Sequence, residues 1–354
     1  MTARLQYTPE ELLSDFDYQE PLIAGGVRCH GGYIDGRYCS PRSRMRGPAI
    51  KAWRRRLAAE GLPLVHVPNR YVPPNYPNYP QAKYLLQEGV TAPIARSLTL
   101  IAILEGFGAR IRDLPVPDLG AEIVEETEGT ALAHLAAGLF EAHARDEAGH
   151  RDQGGHKQMW EAARDIGLNK PRIPPDVLTQ LMTGGGRGEL VRLYPQLSLH
   201  MEAMITVMAN VLVIETFAED TFNWAIQLLG DSEISADAER ARHLIDCIAA
   251  DEVPHVEYLS VALSELRGRT LCSADGRYRV TGADVVDRIF ARQLRGMATR
   301  RPQEQRNRMR GEIHKHVADA ANTSRIAARF EALDSGWRFP HADDEELEPL
   351  LTAA

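Results

Sequence analysis

Two pentapeptides share one frame: Asp146-Glu147-Ala148-Gly149-His150 and Asp251-Glu252-Val253-Pro254-His255. On a helix, a glutamate and a histidine three residues apart project from the same face one turn apart, close enough to bind one metal ion together. Either frame alone would be an ordinary coincidence, because both residue types are common on surfaces. Two copies inside two long helical segments are much harder to assign to chance. The likeness extends upstream: Ile103-Leu104-Glu105-Gly106-Phe107-Gly108 parallels Val213-Ile214-Glu215-Thr216-Phe217-Ala218. Each is an apolar helical run interrupted by one glutamate, with Phe two residues on. A lone carboxylate in such a face is costly to bury unless a cation neutralises it, and a bound metal ion would do so.

These residues need long helices to position them. From Lys83 onward apolar residues recur at three- and four-residue spacing, which predicts helices near 92–112, 130–152, 196–229 and 236–267. The breakers are Pro115-Val116-Pro117, the stretch from Gly167 to Gly188 with its GGGRG run, and Gly230-Asp231. In an antiparallel helix pair, facing residues lie equidistant from the turn. The midpoint of Glu215 and Glu252 falls at 233–234, beside the breaker. The midpoint of Glu105 and Glu147 falls at 126, so that pair requires Asp113–Gly129 to be one long connection, with Thr130 as the next N-cap. Strand content should be minor and there is no βαβ alternation. The fold expected is all-α.

Glu, then ExxH, then Glu, then ExxH on four successive helices resembles the ferritin-like di-iron carboxylate superfamily, which includes ribonucleotide reductase small subunits, multicomponent monooxygenase hydroxylases, acyl desaturases and aminoarene N-oxygenases. The resemblance spans about 92–267, half of the chain. It implies a ferritin-like four-helix bundle around a dimetal core, with Glu105, Glu147 and His150 on one side and Glu215, Glu252 and His255 on the other. Glu147 and Glu252 would bridge, and Glu105 and Glu215 would be terminal. Asp146 and Asp251 would stand behind the ligands, each accepting the distal N–H of a metal-bound histidine. Four carboxylates and two imidazoles, with no thiolate, suit first-row divalent ions, two irons foremost, with manganese or a mixed pair also suited. The activity implied is that of an oxygen-dependent oxidase or oxygenase acting on a small organic substrate by hydroxylation, N-oxygenation, desaturation or C–C cleavage. Turnover would need a ferredoxin or other reductase unless the substrate supplies the electrons.

Two further residues are candidates for catalysis. His143, four before Glu147, projects about 40° from it on the helix and would be a third histidine ligand or a pocket base. Glu219 lies one turn after Glu215, where multicomponent hydroxylases use a threonine, and would add a carboxylate near the metals. His134, His156, His200, Glu141 and Glu202 fall off the expected faces. Met204, Met208, Val211 and Leu212 read as core that could also wall an apolar pocket.

The chain of 354 residues divides into three parts. Residues 1–85 form an extension with a hairpin at the Asp35-Gly36 turn signal, a basic helix Ala49–Ala59 opened by Pro48, and a proline-rich arm His66–Gln81. Residues 86–267 form the bundle. Residues 268–354 form an Arg-rich helical extension (Ala283–Ala332) that starts at a second hairpin signal, Asp275-Gly276, and ends in the acidic run Asp343–Glu348. The arginines of Arg288–Arg310 read as a solvated face or a docking patch for an acidic ferredoxin. A net charge of -8 argues against nucleic acid as the main partner. The apolar run Ile205–Ile214 is interrupted by Thr206 and Asn210 and stops at Glu215, so no membrane span is expected. Without a secretory h-region the protein should be cytoplasmic, with a homodimer as the candidate assembly and its four cysteines reduced. The competing readings are a ferritin-like iron-storage or detoxifying protein and a metal-free helical scaffold.

Overall fold

A computed structural model describes residues 4–173, 177, 192–317 and 319–338. It is mostly helical, 62% helix against 8% strand, which agrees with the all-α class. The GGGRG run and the acidic run Asp343–Glu348 lie outside the described residues.

Before the long helices, a short helix α1 (Pro9–Leu12) is closed by a capping box between Thr8 and Glu11. A three-stranded antiparallel sheet follows in the order β1 (Glu20–Ala24), β2 (Val27–Ile34), β3 (Arg37–Cys39). Asp35 and Gly36, both at positive φ (50° and 70°), make the two-residue turn expected between β2 and β3. The basic helix α2 runs Ser43–Ala59, so it begins before Pro48 rather than at it. Arg42, in the left-handed region at φ 50°, leads into it. This earlier start has a consequence, because it places Arg42 and Arg46 at the inner end of the helix. The proline-rich arm is interrupted by a 3-10 turn at Asn69–Tyr71 and gives way at Tyr79 to α3 (Tyr79–Gln87), capped by Asn78 and Gln81.

The long helices come next. α4 (Ala92–Gly108) continues as a 3-10 turn to Asp113. The expected long connection is present, carrying only the short α5 (Leu119–Glu122). The helical stretch that follows is not continuous. A 3-10 turn (Leu132–His134) and a π turn (Leu135–Leu139) lead into α6 (Phe140–Ala148), and a separate helix α7 spans His156–Gly167. α8 (Leu199–Leu229) and α9 (Ala238–Arg267) form a hairpin around the Gly230 breaker. Strands β4 (Thr270–Cys272) and β5 (Arg279–Thr281) pair around the second turn signal. They are followed by α10 (Gly282–His316) and α11 (Ala320–Ala332).

α8 packs on α9, α4 on α6 and α7, α7 on α9, and α10 on α8 and α9, while α2 lies along α9. Two apolar clusters fill the interior. On α8 the first ends at Phe217 and the second begins, among fully buried residues, at Phe222. On α9 the second ends at Ile248 and the first begins at Tyr258. The layer between them is polar. The segments Ala92–Asp113 and Leu199–Leu229 are long and apolar enough to span a bilayer by length and composition, which the sequence reading did not anticipate, and 39% and 56% of their apolar windows are buried inside the protein. They carry Glu105 and Glu215.

Candidate metal centre

Seven side chains of the ligand types meet where the two apolar clusters adjoin, with Glu215 and His143 flanked by residues of the first. One oxygen or nitrogen from each of His143, Glu147, Glu215 and His255 lies within 4.8 Å of the others, and the same holds for Glu105, Glu147, His156 and Glu252. Glu147 is common to both groups. All but Glu105 are buried, and Glu105 keeps only an edge exposed.

His156 stands where the sequence placed His150, and the local chain explains the exchange. α6 stops at Ala148 because Gly149 takes φ 82° and ψ 177°, a conformation essentially restricted to glycine. A Cβ there would come within 2.3 Å of the Gln153 carbonyl. His150 therefore leaves the helical face and sits in a tight turn, its backbone N–H donating to Gln153 O (3.0 Å) and its carbonyl accepting from Gln153 N (3.1 Å). The sheet clamps this turn: His30 N–H donates to Gly154 O, and Gly154 N–H donates to Arg28 O. α7 then starts at His156, whose Nδ1 lies 2.7 Å from Glu252, 3.4 Å from Glu147 and 3.7 Å from Glu105. His150 belongs to neither group. The missed signal was Gly149, Gly154 and Gly155, three glycines that forbid one helix through 152 and return the chain with a new histidine.

The second frame stays helical through Pro254. His255 Nδ1 lies 2.6 Å from Glu252 and 3.3 Å from Glu147. His143, flagged from its spacing, stacks on His255 with ring centroids 3.9 Å apart, and its Nε2 faces Glu215 (3.5 Å) and Glu147 (3.8 Å). Its Nδ1 meets the hydroxyl of Tyr258 at 3.2 Å. Glu219 is exposed and does not reach the group. By helix angle Glu219 lies only about 40° from Glu215 and on the side of the buried Met208 and Leu212, so its exposure comes from the lack of cover at that turn of α8 and not from its position on the wheel.

The aspartates support the histidines across the frames. Asp146 Oδ2 lies 2.9 Å from Nε2 of His255, on the other frame. Asp251 lies 3.6 Å from Nε2 of His156 and accepts the hydroxyl of Tyr38 at 2.7 Å. Asp146 therefore fixes Nε2 of His255 by a hydrogen bond, whereas Asp251 only faces Nε2 of His156, which has no hydrogen-bond partner among the described residues; in both imidazoles Nδ1 is toward the carboxylates. Asp146 is also held by Arg42 and by Arg46 (2.8 Å), the two arginines of the α2 start, both fully buried. Neither was legible as a site residue, since about a hundred positions separate each from its partner.

Electrostatics follow from burial and crowding. Burial and then Glu147 push Glu105 well above the usual carboxylate range, and burial and then Glu252 do the same to Glu215. Burial also opposes ionisation of Glu252, but His255 and His156 outweigh it and hold Glu252 well below its ordinary value. Asp146 is likewise held low against burial by Arg42 and Arg46. His156 and His255, which burial would lower, are raised by Glu252 first. Burial and then His255 push His143 down to about 3, so it is a neutral imidazole. With Nδ1 paired to the Tyr258 hydroxyl, its Nε2 is the ring nitrogen that faces the carboxylates.

Several of these inward atoms have no hydrogen-bond partner: Nε2 of His143, Oε1 of Glu147, Nδ1 of His156 and Oε1 of Glu252. Buried polar atoms without partners are costly, and here they converge on shared space. Ionised, the four glutamates with Asp146 and Asp251 exceed Arg42 and Arg46 by four negative charges, the charge of two divalent cations. The donor set therefore fits a pair of first-row metal ions.

A cavity of about 820 Å3 opens beside the group between α4, α8 and α10. Glu105, Glu147 and Glu215 form part of its wall, and Leu104, Phe107 and Ile214, all more than a third exposed, line the rest of that end. Val211 also reaches it, whereas Met204, Met208 and Leu212 are fully buried core. No family model, curated protein or solved structure matches this chain.

Proposed function

We propose that this protein is a dimetal oxidase or oxygenase of ferritin-like architecture, holding two irons and using dioxygen to oxidise a small organic molecule. The observation that carries the reading is the convergence of four glutamates and three histidines into two groups sharing Glu147, beside an apolar cavity whose wall includes three of the same glutamates. His143, Glu147, Glu215 and His255 would hold one ion, and Glu105, Glu147, His156 and Glu252 the other. When bound, such a pair supplies the electrons that reduce dioxygen. The chain does the remainder. Asp146 keeps Nδ1 of His255 turned inward by holding its Nε2, and Asp251 faces Nε2 of His156 at 3.6 Å. Arg42 and Arg46 keep Asp146 ionised in a buried place. Leu104, Phe107 and Ile214 offer an apolar wall on the side where substrate would lie. Manganese or a mixed pair suits the same donors, a ferredoxin or reductase is the expected electron source, and the cytoplasm the expected location.

The test is metal analysis of the full chain after anaerobic loading with ferrous iron. Two irons per chain, lost in Glu147→Ala plus Glu252→Ala, is the expected result, and a wild-type chain that takes up no metal sinks the proposal. Rapid mixing of the loaded protein with oxygen then separates an enzyme, with a transient visible absorption band and a fixed iron count, from a storage protein that continues to accumulate iron.

A further inference from the structure

The far part of the cavity wall comes from α10, in the Arg-rich extension. Met297, Arg301, Gln305 and Glu312 recur there at the spacing of one helix face. Arg301 is partly buried, and among the described residues no carboxylate, carbonyl or hydroxyl pairs with it; burial alone acts on its pKa, lowering it. The other charges of that wall are accounted for differently. Glu312 pairs with Arg96 (3.1 Å) and lies 3.2 Å from His316. Arg110 sits over the ring of Phe107, 4.8 Å from its centroid. Asp113, Glu304 and Arg308 are exposed at the rim. A half-buried guanidinium with no counter-ion among the described residues is available to an anion entering the cavity, and its planar fork matches a carboxylate.

We propose that the cavity binds an apolar molecule with a carboxylate head, the head on Arg301 and the apolar body along Leu104, Phe107 and Ile214 toward Glu105 and Glu215. The cavity volume lies within the roughly 300–1,000 Å3 of sites that enclose a small molecule. This substrate class rests on the oxidase reading, and the experiment separates the two.

Decanoate and 4-butylbenzoate, each beside its corresponding alcohol, are titrated calorimetrically into the full chain, ferrous-loaded under anaerobic conditions and metal-free. At least one acid should bind the loaded wild type about tenfold or more tighter than its alcohol, as expected for a charge-assisted pair. Arg301→Gln should abolish that preference with alcohol affinity unchanged, and Arg301→Lys should keep part of it. Equal binding of acid and alcohol in the wild type, which needs no variant, overturns the proposal. So does full retention of the preference in Arg301→Gln, which would move the head to the metal ions. Iron content of the same samples decides the underlying reading. A chain that takes no iron yet selects the acid through Arg301 keeps the pocket and loses the oxidase, and two irons with no acid preference does the reverse.

Discussion

The two D-E-x-x-H frames are alike in sequence and unlike in structure. In the second, Asp251, Glu252 and His255 lie on one unbroken helix, and the pentapeptide delivers both of its ligand-type residues to the cluster. In the first, Gly149 ends the helix directly after Glu147, His150 is turned away, and His156 arrives from the next helix. The position of the imidazole is nevertheless equivalent, since Nδ1 of His156 and of His255 lie 2.7 and 2.6 Å from the same Glu252. Spacing therefore specifies a site only while the backbone between the residues is helical. One residue that favours positive φ is enough to transfer the role to a histidine six positions on.

The sharpest way to break this comparison is to remove the two histidines of the first frame separately. His156→Ala should weaken metal binding by more than the roughly 10–100-fold that loss of a supporting outer partner costs, as should His255→Ala. His150→Ala should leave metal content and affinity at the wild-type level. The measurement is iron per chain after equilibration against a competing chelator. If His150→Ala loses metal and His156→Ala does not, the first frame acts as a helix and the structural assignment fails.

The aspartates should differ next. Asp146 neutralises two buried arginines besides supporting His255, whereas Asp251 has Tyr38 and His156. Asp146→Asn leaves buried positive charge uncompensated, so it should lower unfolding free energy by about 3–5 kcal/mol, as breaking a buried ion pair does. Asp251→Asn should cost clearly less in urea unfolding, while both lower metal affinity about 10–100-fold. Equal stability losses would mean that Arg42 and Arg46 find other partners.

What could be read in advance follows the same division. The helices bearing Glu105, Glu215, Glu252 and His255 were legible because apolar periodicity is a local property, and the 215–252 midpoint fell in the loop that joins α8 to α9. His143 was legible from one turn of helix. His156 falls off the expected face only if one helix runs through 152, and Gly149, Gly154 and Gly155 argue against that helix. Arg42 and Arg46 were invisible for another reason: a basic helix looks solvated until a distant Asp146 is packed against it. Glu219 shares the angle of buried residues on α8, but helix spacing does not say whether a neighbouring element covers that turn, and there it does not.

Gly149→Ala tests the backbone device itself. The residue must hold φ 82°, and the new Cβ would meet the Gln153 carbonyl at 2.3 Å and Gly155 N at 2.9 Å. The conformational strain alone is worth about 1–3 kcal/mol. The variant should unfold at lower denaturant and bind metal more weakly, because His156 is displaced with the turn. The position equivalent to Gly149 in the second frame is Pro254, inside the helix; Val253→Ala, one residue before it at an exposed helical position, should stay within about 0.5 kcal/mol of wild type. Similar losses in both variants would remove the distinction between a turn and a helix at the two frames.

The smallest effect concerns how one frame is registered on the other. Glu265, near the end of α9, accepts the backbone N–H of Ala131 and Leu132 at 3.1 Å each, at the head of the segment that becomes α6. Burial raises its pKa to about 7, with the two backbone donors and Arg269 opposing. An acid whose pKa is higher folded than unfolded binds more protons in the folded state between the two values. Its contribution is therefore fully present below about pH 4.5 and is lost as pH rises through about 7, at no more than about 1.4 kcal/mol per pH unit. Glu265→Gln should flatten that part of the stability profile, measured by urea unfolding of the metal-free chain from pH 5 to 8, with iron stoichiometry unchanged. An unaltered slope would show that Glu265 is ionised throughout, its carboxylate fully compensated by the two donors that tie the first frame's helix to the second's.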